Sequence, residues 1–245
     1  MGEYIKLFSE HTDYTTYRNG NMVLPNVSYC SDTPNEVHYN PFTGAWLEVT
    51  YTISDISSAT ELLYNDQYTE NNFTEMEVDG VKLNAITNTY QFNTTGTHVV
   101  KYKLTNPTEL NIQGFSGYTE ITAVKIPDTV ITMTTGFPST SITTLVIPDS
   151  VVFVGQYVAA YCPLTSVVFG SSVESAESAA VESTEQAYTI TMKNPEPITL
   201  GSDPFFVNYD NLTHIYVPAE AVDTYKAASG WSAYSSIISA IPSNP

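Results

Sequence analysis

The sequence predicts a mainly β protein in three parts. These are an extended N-terminal arm over residues 1–42, a small immunoglobulin-like β-sandwich over residues 43–106, and a solenoid of short repeats with a capping helix over residues 107–245. Three observations lead there. Apolar and polar residues alternate at period two in several short runs, the mark of half-buried strands. From Ile121 onward one short apolar pattern recurs at near-constant spacing. A helical pattern follows the last repeat, after Pro218.

The arm is rich in Tyr, Asn and Thr and carries Pro25, Pro34 and Pro41, which bar a long helix. One short strand is expected over Met22–Val27, with the rest of the arm extended and ordered against a partner. Next, Leu47, Val49, Tyr51 and Ile53 fall on one face of a strand, with Glu48, Thr50 and Thr52 opposite. Asp79-Gly80 separates the runs Glu75–Val78 and Val81–Leu83, and both central residues of such a tight hairpin need positive φ. Gly96 opens a further alternating run in which Val100, Tyr102 and Leu104 share a face. Four or five such strands in so short a stretch suit a small sandwich or two-sheet module.

Five segments then align, starting at Ile121, Ile142, Leu164, Ala187 and Leu212, and spaced 21, 22, 23 and 25 residues apart. A period of about 20–29 with apolar residues at positions 1, 4 and 6 is the leucine-rich pattern. No single unit can bury those positions, so the units must stack, with their strands in one sheet. Pro127, Pro148 and Pro218 at position 7 end strands where the chain turns. Gly114–Tyr118, Tyr157–Cys162 and Phe205–Tyr209 occupy matching places on the returning side. The fourth unit departs from the pattern at Lys193–Pro197. After Pro218, a helix over Ala219–Ser229 places Ala221, Val222, Tyr225 and Ala228 on one face. Gly230 stops it, and Trp231 completes a lid over the last coil.

The net charge of −18, from 26 acidic and 8 basic residues, disfavours nucleic-acid binding. It fits a soluble, self-repelling surface. No D-x-D-x-D calcium loop is present. Cys30 and Cys162 are too few for a disulfide framework and read as free thiols, Cys162 buried in a repeat. His11, His38, His98 and His214 lack any zinc spacing, and no nucleophile elbow or phosphate loop appears. Glu174, Glu177, Glu182 and Glu185 read as a solvated face in a loop or short helix, not as a glycosidase pair. No cofactor, catalytic residue, metal site or membrane insertion is expected. No apolar run that could serve as a signal peptide follows Met1.

The outward positions of the repeat strands are more informative. Position 5 reads Lys125, Val146, Val168, Thr191 and Tyr216, and position 3 reads Ala123, Thr144, Ser166, Thr189 and His214. A face that avoids charge on so acidic a protein suits burial against a partner. Simple β-propensity on a solvated sheet would select the same residues. Lys125, Val146, Val168, Thr191, His214 and Tyr216 are therefore the candidate binding residues, with the aromatic pair strongest as anchors.

The L-T-x-V-x-I-P-x-S-V pattern, best at Ile142–Val151, and the A-F-x-x-C-x-x-L-like stretch Tyr157–Val167 resemble BspA-type leucine-rich repeats of Bacteroidales and their phages. Tyr216–Trp231 is similar to the closing segment of such arrays. The likeness runs from about residue 107 onward, and it implies the solenoid fold more specifically than any function. Asn21–Pro41 resembles leading segments of phage virion proteins, including those of crAss-like phages. These resemblances imply a non-enzymatic virion structural protein, a head or tail fibre or decoration. Residues 1–42 would dock to a capsid or tail protein, and the repeats would face a host-surface protein or glycan. A homo-oligomer, trimeric as in fibres, would fit, though no heptad encodes it. The absence of a signal peptide agrees with release by lysis. A bacterial cell-surface adhesin of the BspA type is the alternative.

Overall fold

The computed structural model describes residues 45–64, 72–183, 187–202, 205 and 211–242, together with four strand segments before them. The chain divides into two compact units, Met1–Gly44 and Ala45–Pro245. In the first, Thr16–Arg18 pairs antiparallel with Asn21–Val23, and Val27–Tyr29 with Val37–Tyr39. The strand expected over Met22–Val27 is thus the end of one hairpin and the start of another. Pro25, between them, has no N–H for a continuous ladder. The remainder of the arm lies outside the described residues.

The second unit opens with a five-stranded antiparallel sheet in the order Ile121–Lys125, Trp46–Ile53, Gly96–Leu104, Phe73–Val78, Val81–Lys82. The hairpin at Asp79-Gly80 forms as its residues require, with φ of 49° and 79°. Alternation sends Leu47, Val49, Tyr51, Val100 and Tyr102 inward, where they are fully buried. The Tyr51 hydroxyl donates to the Leu62 carbonyl at 2.8 Å and lies 3.0 Å from the Tyr102 hydroxyl. The outer face carries an ion-pair lattice in which Lys101 and Lys125 share Glu48, and Lys82 and Lys103 share Glu75.

Among the described residues of 43–106, four strands belong to this sheet, and Thr60–Glu61 pairs with Thr89–Tyr90 in a short ribbon. One expectation is corrected here. The strand at Ile121 lies in the antiparallel sheet and not with those at Ile142 and Leu164; Val124 pairs with Val49. The reason is that a sheet with one charged face needs only one covering layer. The start of the solenoid supplies that layer: Phe115 meets Tyr102 at 5.3 Å and Phe73 at 6.1 Å. One hydrophobic core therefore runs through residue 106 without a break.

Beyond it the chain coils with three parallel ladders. The front ladder contains Thr144–Val146, Ser166–Phe169, Tyr188–Met192, Leu212–Val217 and Ile238–Ala240. Its inward row, Leu145, Val167, Ile190, Ile215 and Ile238, is buried in register. Each such side chain contributes roughly 1.5–3 kcal/mol of burial. A second ladder of two-residue strands, from Glu109–Leu110 to Thr199–Leu200, buries Leu110, Met133, Val154 and Ala176. The third pairs Ala159–Cys162 with Val181–Ser183. Ser175–Ala176 and Val181–Ser183 are therefore strands where a loop or short helix was expected. Turns recur after position 7: Val130, Val151, Val173 and Ala221 donate back to Pro127, Pro148, Gly170 and Pro218.

In the fourth unit Tyr188, not Ala187, takes the first inward position, pairing with Leu212 across an irregular register. Its ring is buried, and its hydroxyl reaches the Phe205 carbonyl at 3.0 Å. The lid is a short 3-10 turn, Ala219–Ala221, running into the helix Val222–Ala227. Tyr225, the buried residue of that helix, and Trp231 just after it are fully covered. Trp231 Nε1 donates to the Ile198 carbonyl at 2.9 Å, and the Tyr225 hydroxyl to the Asn194 and Glu196 carbonyls. The irregular Lys193–Pro197 turn is where this helix docks.

Candidate functional site

The parallel register lines up the outward side chains of the front ladder in two rows. Val146, Val168, Thr191, Tyr216 and Ser239 form one, and Thr144, Ser166, Thr189 and His214 the other. Successive residues in a row stand about 4.8 Å apart, the spacing of paired strands. Val146 is 58% exposed, and the others are exposed or half-buried. His214 and Tyr216 close the rows with rings 5.6 Å apart and nearly parallel at 7°. Neither row contains a carboxylate or a lysine.

Five of the six expected residues therefore meet on one face. Lys125 does not. It belongs to the antiparallel sheet, where its ammonium pairs with Glu48 at 3.3 Å. Sequence reasoning also missed Ser239, because the last strand follows the lid and lacks the repeat pattern. A threonine row beside the face was missed as well: Thr165 and Thr213 hydroxyls donate to the Thr143 and Tyr188 carbonyls of the preceding coil.

A second feature lies on the other side of the coil. Gly117, Ser139 and Tyr161 recur 22 residues apart with φ of 85°, 58° and 59°, and Tyr157 and Ala179, also 22 apart, have φ of 57° and 54°. Left-handed backbone costs an L-residue roughly 1–2 kcal/mol. Two bulky residues, Tyr157 and Tyr161, occupy it while remaining 44% and 46% exposed. Their rings are nearly parallel, 18° apart in plane, with centroids 6.5 Å apart.

Among the described residues, no three of His, Cys, Asp and Glu converge to hold a metal. Cys162 is buried, and that burial pushes its thiol up, away from reactive thiolate. His98 is a structural group. Its Nδ1 faces Asp79 Oδ2 at 2.7 Å and its Nε2 the Thr94 carbonyl at 3.0 Å, while Asp79 Oδ1 accepts from the Val99 N–H. Of the four glutamates expected on a solvated face, Glu174 and Glu177 are exposed, Glu182 is half-buried in the strand Val181–Ser183, and Glu185 lies outside the described residues.

The coil geometry has a counterpart among known families. Residues 132–229 match the BspA type leucine rich repeat region, in six copies. No curated protein matches the chain. The BspA-type match begins at Thr132, the first strand after Ile121–Lys125, and ends within the lid. Of the five units that the sequence pattern aligns, the first, at Ile121, lies before the match. Repeats of this type are typically non-enzymatic and surface-exposed, and they point to a surface or adhesin-like protein. No described helix is long and apolar enough to cross a membrane.

Proposed function

We propose that this chain is a non-enzymatic virion component, a head or tail fibre or decoration protein. Its repeat stack presents the front ladder to a host-surface protein or glycan. Residues 1–42 dock to a capsid or tail protein, and the chain assembles as a homo-oligomer. The observation that carries the display reading is the in-register, charge-free outer face on a protein of net charge −18. Interfaces are depleted of charge at their centres and anchored by aromatics, and His214 with Tyr216 supplies such an anchor. The virion role is supported by the likeness of Asn21–Pro41 to phage virion segments and by the surface habit of the repeats.

Two experiments test it. The double substitution Val146→Glu with Val168→Glu should reduce adhesion to host cells about tenfold or more. It should lower stability by only about 1 kcal/mol, the repulsion of two carboxylates that are neighbours in register, since both side chains point outward. Unchanged adhesion would remove the ladder from the proposal. Deleting residues 1–42 should abolish incorporation into particles while leaving residues 45–245 folded, read by circular dichroism. Normal incorporation of the deleted protein would overturn the docking role.

A further inference from the structure

We propose that Tyr157 and Tyr161 form a second binding site, a stacking platform for a neutral carbohydrate, separate from the front ladder. The left-handed position that Tyr161 occupies is held by Gly117 two coils earlier, with φ of 85°. Glycine adopts this conformation without penalty and tyrosine does not. A tyrosine whose ring were buried there could offset that cost by packing. Tyr157 and Tyr161 instead stay 44% and 46% exposed. Close to half of each residue's surface therefore stays uncovered in the folded chain and open to something outside it.

The surroundings name the ligand class. The two rings are nearly parallel at 18° with centroids 6.5 Å apart, and each keeps close to half of its surface open. The negative face of an aromatic ring attracts polarised C–H groups and cations. Thr135 and Asn111 occupy the same corner in the two preceding coils, with the Thr135 hydroxyl 3.4 Å from Asn111 Oδ1. Gln156 is exposed beside Tyr157. Flat aromatic faces rimmed by hydroxyls and amides suit a pyranose, which presents C–H groups on its faces and hydroxyls around its edge. No basic residue lies within residues 131–192 to pair with an anion, and the chain carries a charge of −18. Sialylated or sulfated sugars are therefore repelled, and neutral ones are selected.

The test uses the full chain on an array of neutral oligosaccharides and their sialylated counterparts, with saturation-transfer NMR on the neutral hits. Neutral sugars should bind and sialylated ones should not. Tyr157→Gly and Tyr161→Gly should each weaken binding about tenfold or more while leaving Tm unchanged or raised, because glycine relieves the positive φ. A merely structural role would lower Tm instead, and that result would overturn the proposal. The ladder variant Val146→Glu/Val168→Glu should keep full sugar binding, so this site and the ladder fail independently. The proposal is also overturned if no neutral sugar binds, if binding survives both tyrosine variants, or if sialylated sugars bind as well. Tyrosine-dependent adhesion that resists deglycosylation of the host surface would assign the platform to a protein partner and overturn it too.

Discussion

Gly170 shows how little space separates neighbouring coils. A Cβ built there would stand 2.1 Å from the Pro148 carbonyl oxygen and 2.5 Å from its carbon, both backbone atoms of the preceding coil. Backbone cannot swing aside as a flexible side chain can. Gly170→Ala should therefore cost about 1–3 kcal/mol or somewhat more, the range of overpacking. The Tm should fall by roughly 2–4 °C per kcal/mol in a unit of this size. A thermal melt that leaves Tm unchanged would mean that the coils are not in contact at this corner. His98 makes a different prediction. Burial alone would depress its pKa, but the hydrogen bonds to Asp79 and the Thr94 carbonyl, with the Asp79 charge, hold it above the ordinary value. For Asp79, burial opposes ionisation, yet the His98 and Val99 hydrogen bonds keep its carboxyl below the usual range. A raised folded pKa gives stability that is full below the unfolded value, about 6.5, and is lost as pH rises through the folded one. A depressed carboxyl gives stability that is full above about 3.9 and is lost as pH falls through its folded value. The pair therefore contributes most between about pH 4 and 6.5. Denaturant midpoints should decline from pH 6 to 9, and His98→Gln should flatten that decline. An equal slope in the variant would remove the pair as its cause.

The lid is the element on which the last coil depends. Trp231 is fully buried against Phe205, Tyr225 and Tyr234, and its indole N–H is bonded across to Ile198. Trp231→Ala should cost about 3–5 kcal/mol, and hydrogen exchange should rise first in Leu212–Val217 and Ile238–Ala240. Uniform acceleration throughout the solenoid would show instead that the lid is not a local element. This lid was legible in the sequence because its signals are local: a helical face after Pro218, a glycine stop and one large aromatic. The Asp79-Gly80 hairpin and the front ladder were legible for similar reasons, one from turn chemistry and the other from a period. The pairing of Ile121–Lys125 with Trp46–Ile53 was not. Its residues satisfy the repeat pattern, and nothing within a strand states which neighbour its edge will meet. That choice lay with the open hydrophobic face around Tyr51 and Tyr102. The two-residue strands of the second ladder were too short to show alternation. At the candidate site the register was legible from period alone, so Val146, Val168, Thr191, His214 and Tyr216 came together as expected. Lys125 failed with its strand. The tyrosine platform was hidden because sequence does not print φ; Gly117, two coils earlier, was the available hint.

A repeat stack is held by nearest-neighbour contacts, so each end must be closed by something that is not a repeat. Here the C-terminal end is closed by the helix and Trp231, and the other by the antiparallel sheet, which takes Ile121–Lys125 as its edge strand. The two closures differ in kind. The lid covers its coil with side chains, whereas the sheet recruits a strand from the chain it covers and shares Phe115 with the core of both. Residues 45–106 and 107–245 are thus not separable in the way that a sandwich joined to a solenoid would be. Splitting the chain there would strip the sheet of an edge strand and expose Phe115, Ile121 and Phe137, all fully buried in the intact unit. Residues 45–245 should accordingly unfold in one calorimetric transition, with the van't Hoff and calorimetric enthalpies agreeing. A fragment starting at residue 107 should lack near-ultraviolet dichroism and bind a hydrophobic dye, the behaviour of a collapsed but unpacked chain. If that fragment instead melts cooperatively near the parent's Tm, the sheet is an appendage and the first coil closes itself.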